Sequence, residues 1–140
     1  MTIKLSTESM RCIALLENQT GAEVVDCIVE EHAVTFVVKK GCMGLAIGRN
    51  GDNVRRMEGA LGKRIEIVEH SQDAAEFLEN AFQPVPVTSC EISEKNGKKV
   101  ACVEVSTMNK GLAIGKNGKN IEKVKLLAQR HHGVDDVIIR

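Results

Sequence analysis

The 140-residue chain is 43% hydrophobic and 27% charged, with 19 Lys plus Arg balancing 19 Asp plus Glu; this is ordinary globular composition, long enough for one domain or two small ones of about 70 residues. No apolar run approaches the roughly 18 residues that span a bilayer, and the opening MTIKLSTESMR has no continuous apolar segment of the signal-peptide kind, so a soluble, cytoplasmic protein with no membrane partner is expected. Cys12, Cys27, Cys42, Cys90 and Cys102 are odd in number, never form C-x-x-C and lie in apolar stretches, which points to free thiols in a reducing compartment and to no metal or cofactor.

The first predicted element is an amphipathic helix over Glu8 to Asn18, with Met10, Ile13 and Ala14 on its apolar face and Gly21 beyond its end. Two extended runs follow, Val24 to Glu30 and Ala33 to Lys39, joined through Glu31-His32. Val34, Phe36 and Val38 alternate, the period of a strand face. Next comes GLAIGRNGDNV at 44–54, a G-x-x-G turn entering a helix whose Val54, Met57 and Leu61 are three to four residues apart. Gly62 suits that helix's C-terminal cap, and Arg64 to Val68 forms a closing strand.

The order then repeats. Ser71 is positioned to cap a helix with Asp73 in its first turn and with Ala74, Phe77, Leu78, Ala81 and Phe82 on one face; Gln83-Pro84-Val85-Pro86 ends it. Val87 to Ser93 and Lys99 to Ser106 flank Asn96-Gly97, a pair suited to a two-residue type I′ hairpin turn. GLAIGKNGKNI at 111–121 matches the earlier loop at a constant offset of 67, with eight of eleven positions identical. Ile121, Val124, Leu127 and Ala128 continue as a helix, Gly133 ends it, and Asp136 to Ile139 is the last strand. Both halves read α-β-β-α-α-β, with a short helical segment just before each G-x-x-G.

Charge is segregated about these loops. Residues 39–64 hold seven basic and two acidic side chains, and residues 95–131 hold nine and two, leaving three basic against fifteen acidic elsewhere. Two local positive faces of this kind steer a phosphate backbone. A G-x-x-G turn between helices brings the N–H groups of a helix's first turn, at the positive end of its dipole, to a surface where phosphate can settle. Arg49 and Lys116 add a charge-assisted contact there, and Asn50 and Asn117 offer hydrogen bonds to phosphate or sugar. Lys119 follows the second loop and Lys123 lies four residues further on, whereas Asp52 replaces Lys119 in the first copy, so the first site is expected to be the weaker.

These motifs, taken with the helix-first order, resemble the type II KH family, whose G-x-x-G loop and apolar groove clamp about four nucleotides of single strand. The paired IG[RK]NG motifs and the half-length spacing look most like the archaeal NusA family of transcription termination and antitermination factors. The resemblance implies an α+β fold of two tandem type II KH domains, 1–70 and 71–140, each with a three-stranded mixed sheet covered by helices. It implies single-stranded RNA contact through Gly48, Arg49, Asn50 and Gly51 and through Gly115, Lys116, Asn117 and Gly118, with Ile47 and Ile114 on the groove floor. RNA polymerase is an expected partner by resemblance only, because bacterial members carry a polymerase-binding domain and an S1 domain ahead of the KH pair that these residues do not encode. A monomer with a fixed interdomain orientation is expected.

Other functions fit less well. The chain lacks Trp and Tyr, and Phe36, Phe77 and Phe82 fall at periodic core positions, so the stacking platforms of RRM and OB folds are missing. GKNGKN lacks the spacing of a nucleotide-binding P-loop. His32, His70, His131 and His132 form no catalytic constellation with a nucleophile, so no enzyme is expected. The alternative is a KH-type scaffold that recognises protein partners or structured ribosomal RNA.

Overall fold

The computed structural model describes residues 5–140, and the first four residues of the expected first domain lie outside them. The described residues fall into two compact units that meet between His70 and Ser71.

In the first unit, α1 (Thr7–Thr20) starts at Ser6, whose Oγ accepts a hydrogen bond from Ser9 N at 3.0 Å, and ends at Gly21 in the left-handed conformation. It buries Ser9, Cys12 and Leu16. Met10, expected on the apolar face, is 51% exposed, and Ala14 is exposed as well. The helix is rotated because Ser9 Oγ donates to Cys27 O at 3.1 Å, a buried bond that turns Ser9 toward the sheet and carries Cys12 and Leu16 with it.

Strands β1 (Val24–Val29) and β2 (Ala33–Val38) are antiparallel, with a bulge between Val24 and Asp26. Strand β3 (Arg64–Glu69) lies parallel to β2 on its other side. Parallel neighbours need a crossover. It is supplied by α2 (Met43–Ile47), a single turn of 3-10 helix at Arg49–Gly51, and α3 (Asp52–Leu61). The loop is therefore held within the crossover, anchored by Ala46 and Met57, which are both fully buried in a core shared with Leu16, Cys27, Val34 and Phe36.

The second unit repeats this plan. Helix α4 (Ala74–Phe82) buries Phe77, Leu78, Ala81 and Phe82. Its N-cap is Asp73, which accepts from Glu76 N at 3.1 Å, and not Ser71. Ser71 is instead buried, its Oγ accepting from Asp73 N at 3.1 Å and its carbonyl bonded to His132 Nε2 at 2.8 Å. Strands β4 (Ser89–Lys95) and β5 (Lys98–Glu104) form the expected hairpin, with Asn96 and Gly97 at φ 54° and 79°, as a type I′ turn requires. Because such a turn holds only two residues, pairing runs to its edges and the strands reach closer to it than their apolar runs suggest. A 3-10 turn (Thr107–Asn109), α5 (Lys110–Ile114), a second such turn (Lys116–Gly118) and α6 (Lys119–His132) cross over to β6 (Asp136–Ile139), parallel to β5. Each unit is thus α-β-β-α-α-β with a three-stranded mixed sheet, the α+β arrangement expected. All three phenylalanines of the chain are at most 1% exposed.

All five cysteines are free thiols. Burial, with the adjacent Cys12 and Asp26 adding to it, pushes the Cys27 thiol from its ordinary 9.0 up to about 12. The folded protein therefore keeps this proton at a pH where the unfolded chain has lost it, and stability falls as pH rises through that window. The urea midpoint is expected to decline between pH 9.0 and about 12 and to decline less in Cys27→Ala. The rotation of α1 is checked separately: Leu16→Ala, on its buried face, should cost about 2–5 kcal/mol by urea denaturation, as a buried large-to-small change, while Met10→Ala stays within about 0.5 kcal/mol of the parent.

Candidate nucleic-acid interface

The two loops match angle for angle. Gly48 and Gly115 have φ/ψ of 78°/172° and 79°/167°; Asn50 and Asn117 have 56°/26° and 57°/26°; Gly51 and Gly118 have 76°/15° and 72°/13°. Three of the four residues in each turn thus occupy positive φ, which glycine adopts freely and asparagine tolerates best among the rest. Within each loop the N–H of the second glycine donates to the carbonyl of the first at 3.1 Å.

The two glycines of each turn answer to different constraints. A Cβ on Gly48 would lie 2.7 Å from Asn53 Cγ and 2.9 Å from Asn53 N, and one on Gly115 would lie 2.7 Å from Asn120 Cβ and 2.8 Å from Asn120 N. These contacts involve backbone and leave no room for a side chain. At Gly51 and Gly118 the nearest atoms are 3.4 Å and 3.9 Å away, so only the backbone angle demands glycine.

The helices that follow begin differently from the others of comparable length. Helices α1 and α4 are capped by Ser6 and Asp73, whereas α3 and α6 start at Gly51 and Gly118 with no side-chain cap. Their first turns present the positive end of the dipole without a protein side chain bonded over it. Arg49, Asn50, Lys116, Asn117 and Lys119 are exposed beside these turns; Lys123 is half-buried on α6. Ile47 is half-buried and Ile114 is 42% exposed.

Charge is arranged in opposite senses. Asp52 at the start of α3 accepts a hydrogen bond from Arg55 Nη2, with both side chains more than half exposed. At the offset of 67 the corresponding residues of α6 are Lys119 and Glu122. The two crossovers therefore carry the same net charge over loop and first turn, from Arg49, Asp52, Arg55 and Arg56 in one and Lys116, Lys119, Glu122 and Lys123 in the other. What differs is the sign nearest the loop.

Two features escape sequence reasoning. Leu45 and Leu112 are 53% and 68% exposed on the short helices, since in each five-residue helix the alanine, one position on, is the residue turned into the core. Asn53 and Asn120 reach back across the loops, Asn53 Nδ2 donating to Leu45 O and Asn120 Nδ2 to Ala113 O, both at 2.8 Å. Their identity in both copies of the repeat is the one sequence signal that could have found them. Among the described residues no group of three or more His, Cys, Asp or Glu side chains could hold a metal ion, and no helix is long and apolar enough to cross a membrane.

The steric difference within each turn has a measurable consequence. Gly118→Ala should cost about 1–2 kcal/mol for its positive φ alone, and Gly115→Ala should cost more because the backbone of Asn120 must also shift; urea denaturation of the two variants decides.

A KH domain model matches residues 13–72, and a model of the NusA-like second KH domain matches residues 74–131. The chain is 43% identical to the "Probable transcription termination protein NusA" of Halobacterium salinarum over 98% of both chains. It is 30% identical to the protein of that name from Methanocaldococcus jannaschii, over 92% of this chain and 70% of the other. A solved structure titled "Crystal structure of APE1850" is 38% identical and superposes with a TM-score of 0.81, covering 97% of this chain and 100% of that one. With two KH domains in tandem and relatives of this identity along nearly its whole length, the chain belongs to the archaeal NusA family.

Proposed function

We propose that this protein binds single-stranded RNA through its two G-x-x-G loops and acts in transcription termination or antitermination, with KH domains at residues 1–70 and 71–140. The observation that carries the reading is the pair of matching turns, each opening a helix that has no side-chain cap and each flanked by exposed basic and amide side chains. In this reading an RNA phosphate takes the place of the missing cap. Arg49 and Lys116 contribute charge, Asn50 and Asn117 bond phosphate or sugar, and Ile47 and Ile114 support the bases. The names of the relatives supply the connection to termination. The work is that of a cytoplasmic binding factor with no catalytic step, and RNA polymerase is its partner by resemblance.

The second loop is the stronger binder. Lys119 puts positive charge at the mouth of the loop, and Lys123 follows on the next turn. In the first domain Asp52 occupies the mouth, where a phosphate docks, and takes Arg55 into a surface pair that itself contributes only about 0–1 kcal/mol.

A titration with short unstructured RNA tests this. The middle positions of the turns are the ones to change, since Asn117 already has positive φ, which aspartate tolerates, and neither Lys116 nor Asn117 is buried. Lys116→Asp with Asn117→Asp should weaken binding by at least about tenfold, the loss of one charge-assisted contact or more, with an unchanged circular dichroism spectrum. Arg49→Asp with Asn50→Asp should weaken it less. Binding by the parent should fall with salt, at a slope of about −0.7 per phosphate neutralised on a single strand. Equal affinity of the parent and both double variants would remove the loops from the mechanism and leave the scaffold reading. A pull-down with RNA polymerase then tests the transcription assignment.

A further inference from the structure

The residue two positions beyond each G-x-x-G is asparagine, and in both units it ties the end of one helix to the start of the next. Helices α2 and α5 are only five residues long, and the chain leaves them at Gly48 and Gly115, both with positive φ and extended ψ. The departure deprives the last carbonyls of the short helix of intrahelical partners. One of these, that of Gly44 or Gly111, is satisfied by the N–H of the glycine itself. Another is reached from the far side of the loop, Asn53 Nδ2 donating to Leu45 O, one residue past Gly44, and Asn120 Nδ2 to Ala113 O, two residues past Gly111, each at 2.8 Å.

The same asparagine fills the space beneath the first glycine. Its Cγ or Cβ lies 2.7 Å, and its backbone N 2.9 Å or 2.8 Å, from where a Cβ of Gly48 or Gly115 would be. Glycine and asparagine are thus one device: the missing side chain lets the two helices approach, and the amide closes the gap with a hydrogen bond. A second tie across each turn is the 3.1 Å bond between its two glycines. Together these bonds set the angle between the short and long helices, and so the aim of the first-turn N–H groups of α3 and α6.

We propose that Asn53 and Asn120 are positioning residues for nucleic-acid backbone binding, holding the first-turn amides of α3 and α6 in the orientation that a phosphate requires. This rests on the RNA-binding reading above and extends it, because neither asparagine needs to touch the ligand. Aiming donors before the ligand arrives spares the ordering cost of binding. The working signature of these loops is then G-x-x-G-x-N, in which the asparagine acts through the glycines.

The test uses the full chain carrying Asn53→Ala, Asn120→Ala or both, with Lys116→Ala as reference. Three readouts separate positioning from direct contact and from mere stability: affinity for a short unstructured RNA across a salt series, thermal midpoint, and amide hydrogen exchange. Loss of one hydrogen bond predicts about a five- to tenfold lower affinity for Asn120→Ala. The salt slope should not change, since no cation is removed, whereas Lys116→Ala should lower it by about 0.7. Exchange at Gly118, Lys119 and Ile121 should quicken while the strand amides of β5 keep their protection. Unchanged RNA affinity in the double asparagine variant, with the parent binding normally, overturns the inference and leaves the RNA reading intact. Global loss of exchange protection in both single variants also overturns it, in favour of a purely structural role. A parent protein that fails to bind RNA removes the reading beneath it as well.

Discussion

The site depends on a close approach of backbone to backbone. In each unit the chain passes from a five-residue helix into a longer one at a glycine that has Asn53 or Asn120 pressed against it, 2.9 Å or 2.8 Å from where a Cβ would place its carbon to the asparagine N. No other residue type fits there. The sheet supports this junction from behind, because a parallel neighbour for the central strand can be reached only by a crossover, and the crossover is made of the two helices and the loop between them. Buried Ala46 and Met57 in one unit, and Ala113 and Val124 in the other, pin both helices to the core. A turn of four residues with little burial of its own is thereby held in the same conformation twice.

Duplication has preserved the backbone and altered the charge. The torsion angles of the two turns are nearly identical, yet Asp52 and Arg55 stand where the second copy has Lys119 and Glu122. Because the sum of charges is the same, long-range steering of a polyanion is expected to be similar for the two faces. The difference is local, at the first residue of the helix, where an acidic group favours the helix dipole by about 0.3–1 kcal/mol and disfavours a docked phosphate. The acidic residue of the first copy thus favours its helix, and the lysine of the second suits the phosphate docking proposed for it.

Much of this was legible in the residues. The repeat, the α-β-β-α-α-β order and the Asn96-Gly97 turn follow from local rules, namely period, turn chemistry and the glycines that end helices, and each requires only near neighbours in the chain. Where reading failed, a distant contact decided. Met10 belongs to an apolar stripe by spacing but is exposed, because the bond from Ser9 to the Cys27 carbonyl rotates α1. Ser71 looks like a cap and is a buried neighbour of His132, while Asp73 caps α4. Leu45 and Leu112, to which the sequence assigned no place, are exposed, since a helix of five residues turns only one face inward.

The sequence by itself determined that two copies of one unit exist, that each carries a glycine-bounded turn at a helix start, and that basic residues gather there. Hydrophobic period, duplicated spacing and charge are all properties of the linear chain. Only the tertiary structure decided why the first glycine of each turn is indispensable and what holds the turn in place. Both answers lie in contacts across the loop, Gly48 against Asn53 and Gly115 against Asn120, whose distances are set by two packed helices and are written in neither residue alone.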